Sequence, residues 1–422
     1  MDGNSNWIIN SIKEISDVKG GKRLPKGHGF SEDKTKYPYI RVVDFKDGNI
    51  KLNNIQYLKK ETYDKISRYI ISSDDVYISI AGTIGLVGKV PKILNNSNLT
   101  ENAAKIVLKQ GLEQDYLIYY LSSMNGQKQI NKLTGKTSQP KLALSRIEKI
   151  LVPVPPLVEQ RGIAEVLGTV DEDIKRTDAV IEKAEELKMG LMQRLLTRGI
   201  GHTEFKQTEL GEIPKTWEIS QGVNLFKTVG GYAPNQIKYT DNDEADTLFL
   251  KVSDMNNEAN LKYIVTSENK FWKKENPEIK FHKPNIIVIA KRGAAILQNR
   301  VRILNKESTF DPNLMGLVPN TKINIEFLYY SLEFKKLYTL IENAGIPQLN
   351  NKQLYPLKFA LPSITEQKYI VEILNKAYEN IQDEKNRKKR LEDLKRGLMQ
   401  DLLSGKIRVE LRQDELHRIS NG

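Results

Sequence analysis

The side chains that could do chemistry in this 422-residue sequence are dispersed along it. There is no cysteine, which removes disulfides, thiolate metal sites and cysteine nucleophiles together. The four histidines, His28, His202, His282 and His417, are too scattered to read as a metal-ligand set or a catalytic triad. Gly135-Lys136-Thr137 imitates the end of a phosphate loop, but Ile130 stands where the leading glycine is required. Gly82, Gly85 and Gly88 follow the strand-like run VYISI, with a spacing that misses the dinucleotide fingerprint. Val87 to Val90, halted by Pro91, predict the returning strand of a hairpin instead. Asp311-Pro312-Asn313-Leu314 lacks the aromatic residue that would complete an adenine-methyltransferase pocket string. Pro277-Glu278-Ile279-Lys280 holds an acid-x-Lys triplet, common by chance in a chain with 28% charged residues. No catalytic motif is complete, and the chain is expected not to be an enzyme.

What remains is binding chemistry. Lys and Arg number 65 against 53 Asp and Glu, a net charge of +12 that suits a polyanionic partner. The polar start MDGNSNW has no signal-peptide core, and the longest aliphatic runs, such as Ile286 to Ala290, fall far short of a membrane helix. A soluble, cytoplasmic protein of two or more domains is expected.

The elements that must carry these residues are written twice. At a shift of 210, Trp7 meets Trp217, Ile9 meets Ile219, Gly20-Gly21 meets Gly230-Gly231, and Val42 and Asp44 meet Val252 and Asp254. Tyr119-Tyr120 meets Tyr329-Tyr330. At a shift of 207, Pro155, Glu159-Gln160, Ile163, Glu165, Leu167, Glu172 and Ile174 recur as Pro362, Glu366-Gln367, Ile370, Glu372, Leu374, Glu379 and Ile381. KMGLMQRLL (188–196) then matches KRGLMQDLL (395–403).

Each copy opens with a mixed region, in which short β-rich runs such as DDVYISIAG and NIIVIAK are broken by Gly, Pro and Asn. Each closes with one long helix. In the first, Leu167, Ile174, Ile181 and Lys188 fall at one heptad position, and Val170, Thr177, Ala184 and Leu191 at the other. Pro155-Pro156 opens this helix and Gly199 stops it; Ser363-Ile-Thr-Glu366 is a capping-box pattern for the second, which Gly405 stops. The second seam, through Leu374, Ile381, Leu391 and Leu398, is interrupted by Glu384 and Lys388: solvated charge on long stems, or a polar layer that fixes register. The expected fold is α/β (mixed α+β), with two similar mixed domains, each followed by a long helix. The helices are expected to pack as an antiparallel coiled coil with pseudo-two-fold symmetry. The expected boundaries are 1–154, 155–200, 201–361, 362–406 and a tail at 407–422.

Duplicated mixed domains, each followed by a helix that opens Pro-x-x-x-Glu-Gln and closes Gly-Leu-Met-Gln-x-Leu-Leu, resemble the specificity subunits of type I restriction–modification systems. TELGEIPKTWE (208–218) is similar to the family's entry into its second recognition domain, and GKTSQ (135–139) and GIPQL (345–349) to its Gly-x-x-Gln stretch. Pro156, standing where the second helix has Ser363, departs from the side-chain cap. The resemblance implies that each mixed domain is a target-recognition domain for half of a split, asymmetric site in double-stranded DNA. It implies that the helices act as a ruler and dock two methyltransferase subunits. Motor–nuclease (restriction) subunits would join that core. S-adenosylmethionine, ATP and Mg would belong to those partners, with no cofactor and no metal in this chain. A single-chain methyltransferase or nuclease with its own recognition domains is the alternative, disfavoured by the missing motifs, and a scaffold without DNA binding is weaker still.

Within that family, loop chemistry nominates the DNA contacts. The loop Lys19 to His28 is basic and glycine-rich, so Lys22, Arg23, Lys26 and His28 are candidates for backbone phosphates. Its counterpart offers Tyr232, Asn235, Gln236 and Lys238, whose amides suit adenine edges. Lys136, Thr137, Ser138 and Gln139 in the first domain, and Lys291, Arg292, Gln298, Asn299 and Arg300 in the second, complete the set.

Overall fold

The computed structural model describes residues 7–135, 138–233, 236–341 and 347–409. It divides into two compact units, 1–178 with 386–422, and 179–385. Each unit therefore holds one mixed domain, or head, with the near part of both long helices, so the units cross the boundaries expected at 155 and 362. The physical reason is that the helices pack on the heads along their ends as well as on one another.

In the first unit an antiparallel sheet runs in the order Val87–Lys89, Val76–Ser79, Ala103–Leu108, Ser16–Gly20. The expected returning strand is the first of these and contains Gly88. Val76, Ile78, Ala104 and Ile106 pack against Tyr116, Leu117 and Leu121 of helix Gln114–Ser122 and Ile130 of helix Met124–Leu133. The same core takes in Ile163 and Leu167 from the first long helix, and Leu402 and Leu403 from the end of the second. A further five-stranded sheet contains one parallel pair, Pro38–Ile40 with Ser97–Leu99, and has its own small core around Ile40, Phe45, Tyr77 and Leu99.

The second unit repeats this plan. Its larger sheet runs Phe226–Gly230, Leu314–Pro319, Ile287–Ala290, Val301–Leu304, Tyr263–Ile264. Phe327, Leu328 and Leu332 of helix Ile325–Lys335 cover it, with Met192, Leu195, Ile370 and Leu374 from the long helices. The smaller sheet again has one parallel pair, Thr247–Leu250 with Ser308–Phe310.

The long helices span Leu157–Arg198 and Ile364–Leu402, 42 and 39 residues, each about 60 Å of rod. Gly199 and Gly405 take the left-handed conformation that ends a helix, at φ 63° and 72°. In the first unit Asp171 pairs with Lys395 at 2.6 Å and Asp178 with Lys388 at 2.7 Å, so the helices run antiparallel. In the second unit Glu185 pairs with Lys385 at 2.6 Å. Lys388, one of the two charged interruptions of the second seam, is thus built into an ion pair across the helices. Val170, Thr177, Ile181 and Ile381 are buried, and Ile174, Leu191, Leu391 and Leu398 are half-buried. Leu167 and Leu374, expected as seam residues, belong to the head cores, because the apolar stripe at each helix start faces a sheet-and-helix layer.

Candidate nucleic-acid interface

The repeated Glu-Gln pair at each helix start is what fixes a head on its helix. Gln160 Oε1 accepts from Glu113 N at 2.8 Å, while Nε2 donates to the carbonyls of Pro155 at 2.8 Å and Gly111 at 3.0 Å. Gln367 repeats all three bonds, accepting from Asn324 N at 2.7 Å and donating to Pro362 O at 3.0 Å and Lys322 O at 3.1 Å. The glutamates gather what the repeat left far apart in sequence. Glu159 accepts from the Trp7 indole at 3.1 Å and is held by both arms of Arg408, at 2.5 and 2.7 Å. Glu366 accepts from the Trp217 indole at 3.0 Å and the Ile200 amide at 3.1 Å, with His202 Nε2 at 2.8 Å. The capping box expected at 363–366 is half made. Ser363 Oγ accepts from Glu366 N at 3.3 Å, but the Glu366 carboxylate is taken by Trp217 and His202.

With the heads fixed, strand register decides which loops share an edge. In the first head Gly20 lies opposite Ala104, and Ala104 opposite Ile78. The loop leaving Gly20, the turn entering Ala103 and the loop leaving Ser79 therefore emerge at one end of the sheet. Residues 138–142 join them, since Ala81 bridges Lys141 and Leu142 N donates to Ile80 O at 3.0 Å. The second head has the same edge, with Gly230 opposite Met315 and Met315 opposite Ile289. There Arg292 bridges Gln348, and Leu349 N donates to Lys291 O at 2.9 Å. Four loops per head thus converge on one edge, and six of the described candidate contacts gather there.

Lys22, Arg23, Ser138, Gln139, Lys291 and Arg292 emerge there, all exposed except the half-buried Lys291. Lys136, Thr137 and Asn235 lie outside the described residues, as do His417 and the tail beyond 409. Arg23 pairs with Glu101 at 2.6 Å. Burial opposes the charge on Glu101, but Arg23, with hydrogen bonds from the Glu101 backbone and Thr100, holds its carboxyl below the usual range. Lys26, Gln236 and Lys238 are exposed further along the two loops. His28 is tied to helix Lys60–Ile66: the Lys65 ammonium, which can only donate, sits 2.8 Å from Nε2, so Nδ1 carries the proton offered to Thr62 Oγ1 at 2.9 Å.

Two candidates are employed in packing rather than display. The Tyr232 ring is half-buried against Phe249, Phe271 and Ile279. Asn299 donates to Glu333 O at 3.1 Å and accepts from Leu337 N at 2.6 Å, holding a left-handed turn. Gln298 and Arg300 bond to each other at 3.0 Å and, with Asn299, line a cleft of about 410 Å³ shared with Glu185, Lys188 and Tyr378 of the long helices.

The strings that imitated catalysis have structural roles. Asp311 Oδ1 accepts from Asn313 N at 2.7 Å, making the turn between two strands, and Ile279 is a core residue. The densest titratable cluster was invisible in the sequence. Lys262 Nζ lies 2.5 Å from both Glu326 Oε1 and Asn375 Oδ1, with four tyrosine rings around it. Burial lowers its pKa against the pull of Glu326. It is a partnered joint between sheet, short helix and long helix. Among the described residues no group of three or more His, Asp or Glu could hold a metal ion, and no helix is long and apolar enough to cross a membrane.

Two repeated heads, each presenting loops from one sheet edge and tied to a helix pair, define a chain built to recognise. The type I restriction modification DNA specificity domain matches it twice, at residues 4–186 and 214–393, and the chain belongs to that family. The type I restriction enzyme MjaVIII specificity subunit of Methanocaldococcus jannaschii is 26% identical over 389 residues, covering 89% of this chain and 87% of the relative. The S subunit of a type I restriction–modification system from M. genitalium shares the fold with a TM-score of 0.56 at 16% identity, over 98% of each chain. A structure describing complex assembly and conformational transition of the type I R-M system matches with a TM-score of 0.59 at 15% identity, covering 94% of this chain and 97% of that one. The chain is a type I DNA-specificity subunit carrying two recognition domains, and its part in the system is not catalytic.

Proposed function

We propose that each head reads one half of a split, asymmetric site in double-stranded DNA through its four-loop edge. The observation that carries this is one scaffold whose cations leave it by different loops in the two heads. The same edge offers Lys22 and Arg23 from the loop after Gly20 in the first head, but Lys291 and Arg292 from the loop after Ala290 in the second, with Gln139 and Gln348 beside them. Cations there would hold phosphates, which fix register, and amide and guanidinium groups would read base edges. Lys136, Thr137, Asn235, Lys26, His28, Gln236 and Lys238 extend the set along the same loops. The paired helices would set the half-site separation and dock two methyltransferase subunits, which would carry S-adenosylmethionine. Motor–nuclease subunits using ATP and Mg would complete the assembly.

Exchanging residues 208–355 for the matching region of a relative tests this reading. Mapping of methylated adenines in cells carrying the chimera should show one half of the motif replaced and the other intact. Simultaneous change of both halves would overturn the two-reader scheme.

A further inference from the structure

We propose that the first head carries a seat for one DNA backbone phosphate, in the cleft lined by Lys19, Arg68, Tyr69 and Lys105; this rests on the DNA-reading function above. The cleft encloses about 490 Å³, with Gly20, Ile70 and Leu99 supplying the rest of its lining. Lys19 and Lys105 stand directly opposite each other on adjacent antiparallel strands. Like charges in that position destabilise a sheet unless something neutralises them. Asp75 neutralises Lys105 at 3.0 Å, and Lys19 is left over. Over the Tyr69 ring, which lines the cleft, the Arg68 guanidinium lies 5.5 Å from the centroid, and Lys22, beside the cleft, places Nζ at the same distance. Lys19, Lys22 and Arg68 make no ion pair among the described residues, and the nearby Glu101 is taken by Arg23.

Two cations with no ion pair of their own, Lys19 and Arg68, line a cleft beside the four-loop edge, and Lys22 shares the Tyr69 ring with Arg68. They are donors only, which suits phosphate oxygens, since these only accept. The guanidinium can hold two phosphate oxygens at once. The second head has no counterpart: the register that pairs Lys19 with Lys105 pairs Val229 with Gly316. The seat therefore clamps the first head in register on the duplex without reading sequence, and the two heads grip DNA unequally.

The test uses the full-length protein and a 30-base-pair duplex of arbitrary sequence, with binding followed by fluorescence anisotropy between 50 and 200 mM salt. Each phosphate neutralised contributes about 0.9 to the slope of log affinity against log salt. The Lys19→Ala/Arg68→Ala variant should lose about 0.9 of slope, because its two cations share one phosphate. Lys19→Arg/Arg68→Lys, which keeps the charges, should retain the wild-type slope. So should Lys13→Ala, an exposed lysine by the opposite end of the same sheet. An unchanged slope in the double Ala variant, a loss of about 1.8, or an equal loss in Lys13→Ala would each overturn the seat. Wild-type protein that binds no duplex in this range would instead refute the DNA-reading function itself.

Discussion

Removing the Gln367 side chain should loosen the second head from its helix, by an amount the three bonds allow to be worked out. The side chain is fully buried and satisfies one backbone amide, Asn324, and two carbonyls, Pro362 and Lys322. A buried amide left without an acceptor costs about 1–3 kcal/mol, and the two carbonyl bonds contribute about 1 kcal/mol each. Gln367→Ala should therefore destabilise the 207-residue second unit by about 3–5 kcal/mol. At about 2–4 °C per kcal/mol for a body of this size, its calorimetric transition should fall by roughly 6–20 °C. Hydrogen exchange should speed up at Asn324 and the start of helix Ile325–Lys335, while peptides from the first head keep their protection. Gln160→Ala should do the same to the first unit, since Glu113, Pro155 and Gly111 are the matching partners. A loss below about 1 kcal/mol with unchanged exchange at Asn324 would show that the Glu-Gln pair is not the anchor described.

His282 is stacked on Phe310 at 4.8 Å, and burial lowers its pKa from 6.5. The unfolded chain then takes up the proton more readily than the folded one, so stability present above pH 6.5 is lost as pH falls towards the folded value. His282→Gln should flatten the decline in urea midpoint between about pH 7 and 5, and an unaltered decline would count against a buried neutral imidazole. Four residues inserted after Thr177, with four opposite them in the second helix, add about 6 Å of paired rod. The unread spacer in the methylated motif should lengthen by one or two base pairs; an active variant with the old spacer would argue against the ruler.

How much of this was legible in the sequence depends on the range of the interaction. The duplication, the two long helices and their Pro and Gly boundaries were readable because each signal is local or strictly periodic. The heptad pattern also runs through Val170, Thr177, Ile181 and Ile381, which are buried. It could not tell that Leu167 and Leu374 face a head, since an apolar stripe does not state its partner. The loops were named as separate candidates, 22–28 and 136–139 in one head and 232–238 and 291–300 in the other. Their meeting at one edge follows from pairings such as Gly20 with Ala104, which join segments more than 80 residues apart. Lys19, Arg68 and Tyr69 were missed as a group for the same reason. Tyr232 and Asn299 looked available because burial, unlike residue type, is a tertiary property.

The division between what the two heads share and what they do not is itself physical. Gly21 and Gly231 stand in the same place, where a Cβ would overlap the carbonyl oxygens of Leu99 and Thr100 in one head and of Phe310 and Asp311 in the other. Any larger residue would push apart the two segments that meet at the edge, so the exit of this loop is fixed by backbone contact. One residue later nothing is fixed: Lys22 reaches outwards over Tyr69, whereas Tyr232 folds back into a small core. The ties at Gln160 and Gln367 likewise hold head to helix through backbone amides and carbonyls, and make no demand on the loops. A scaffold anchored in this way can exchange the exposed side chains at its four-loop edge without moving the anchors. That freedom lets one duplicated fold carry a cationic clamp in its first half and a different surface in its second.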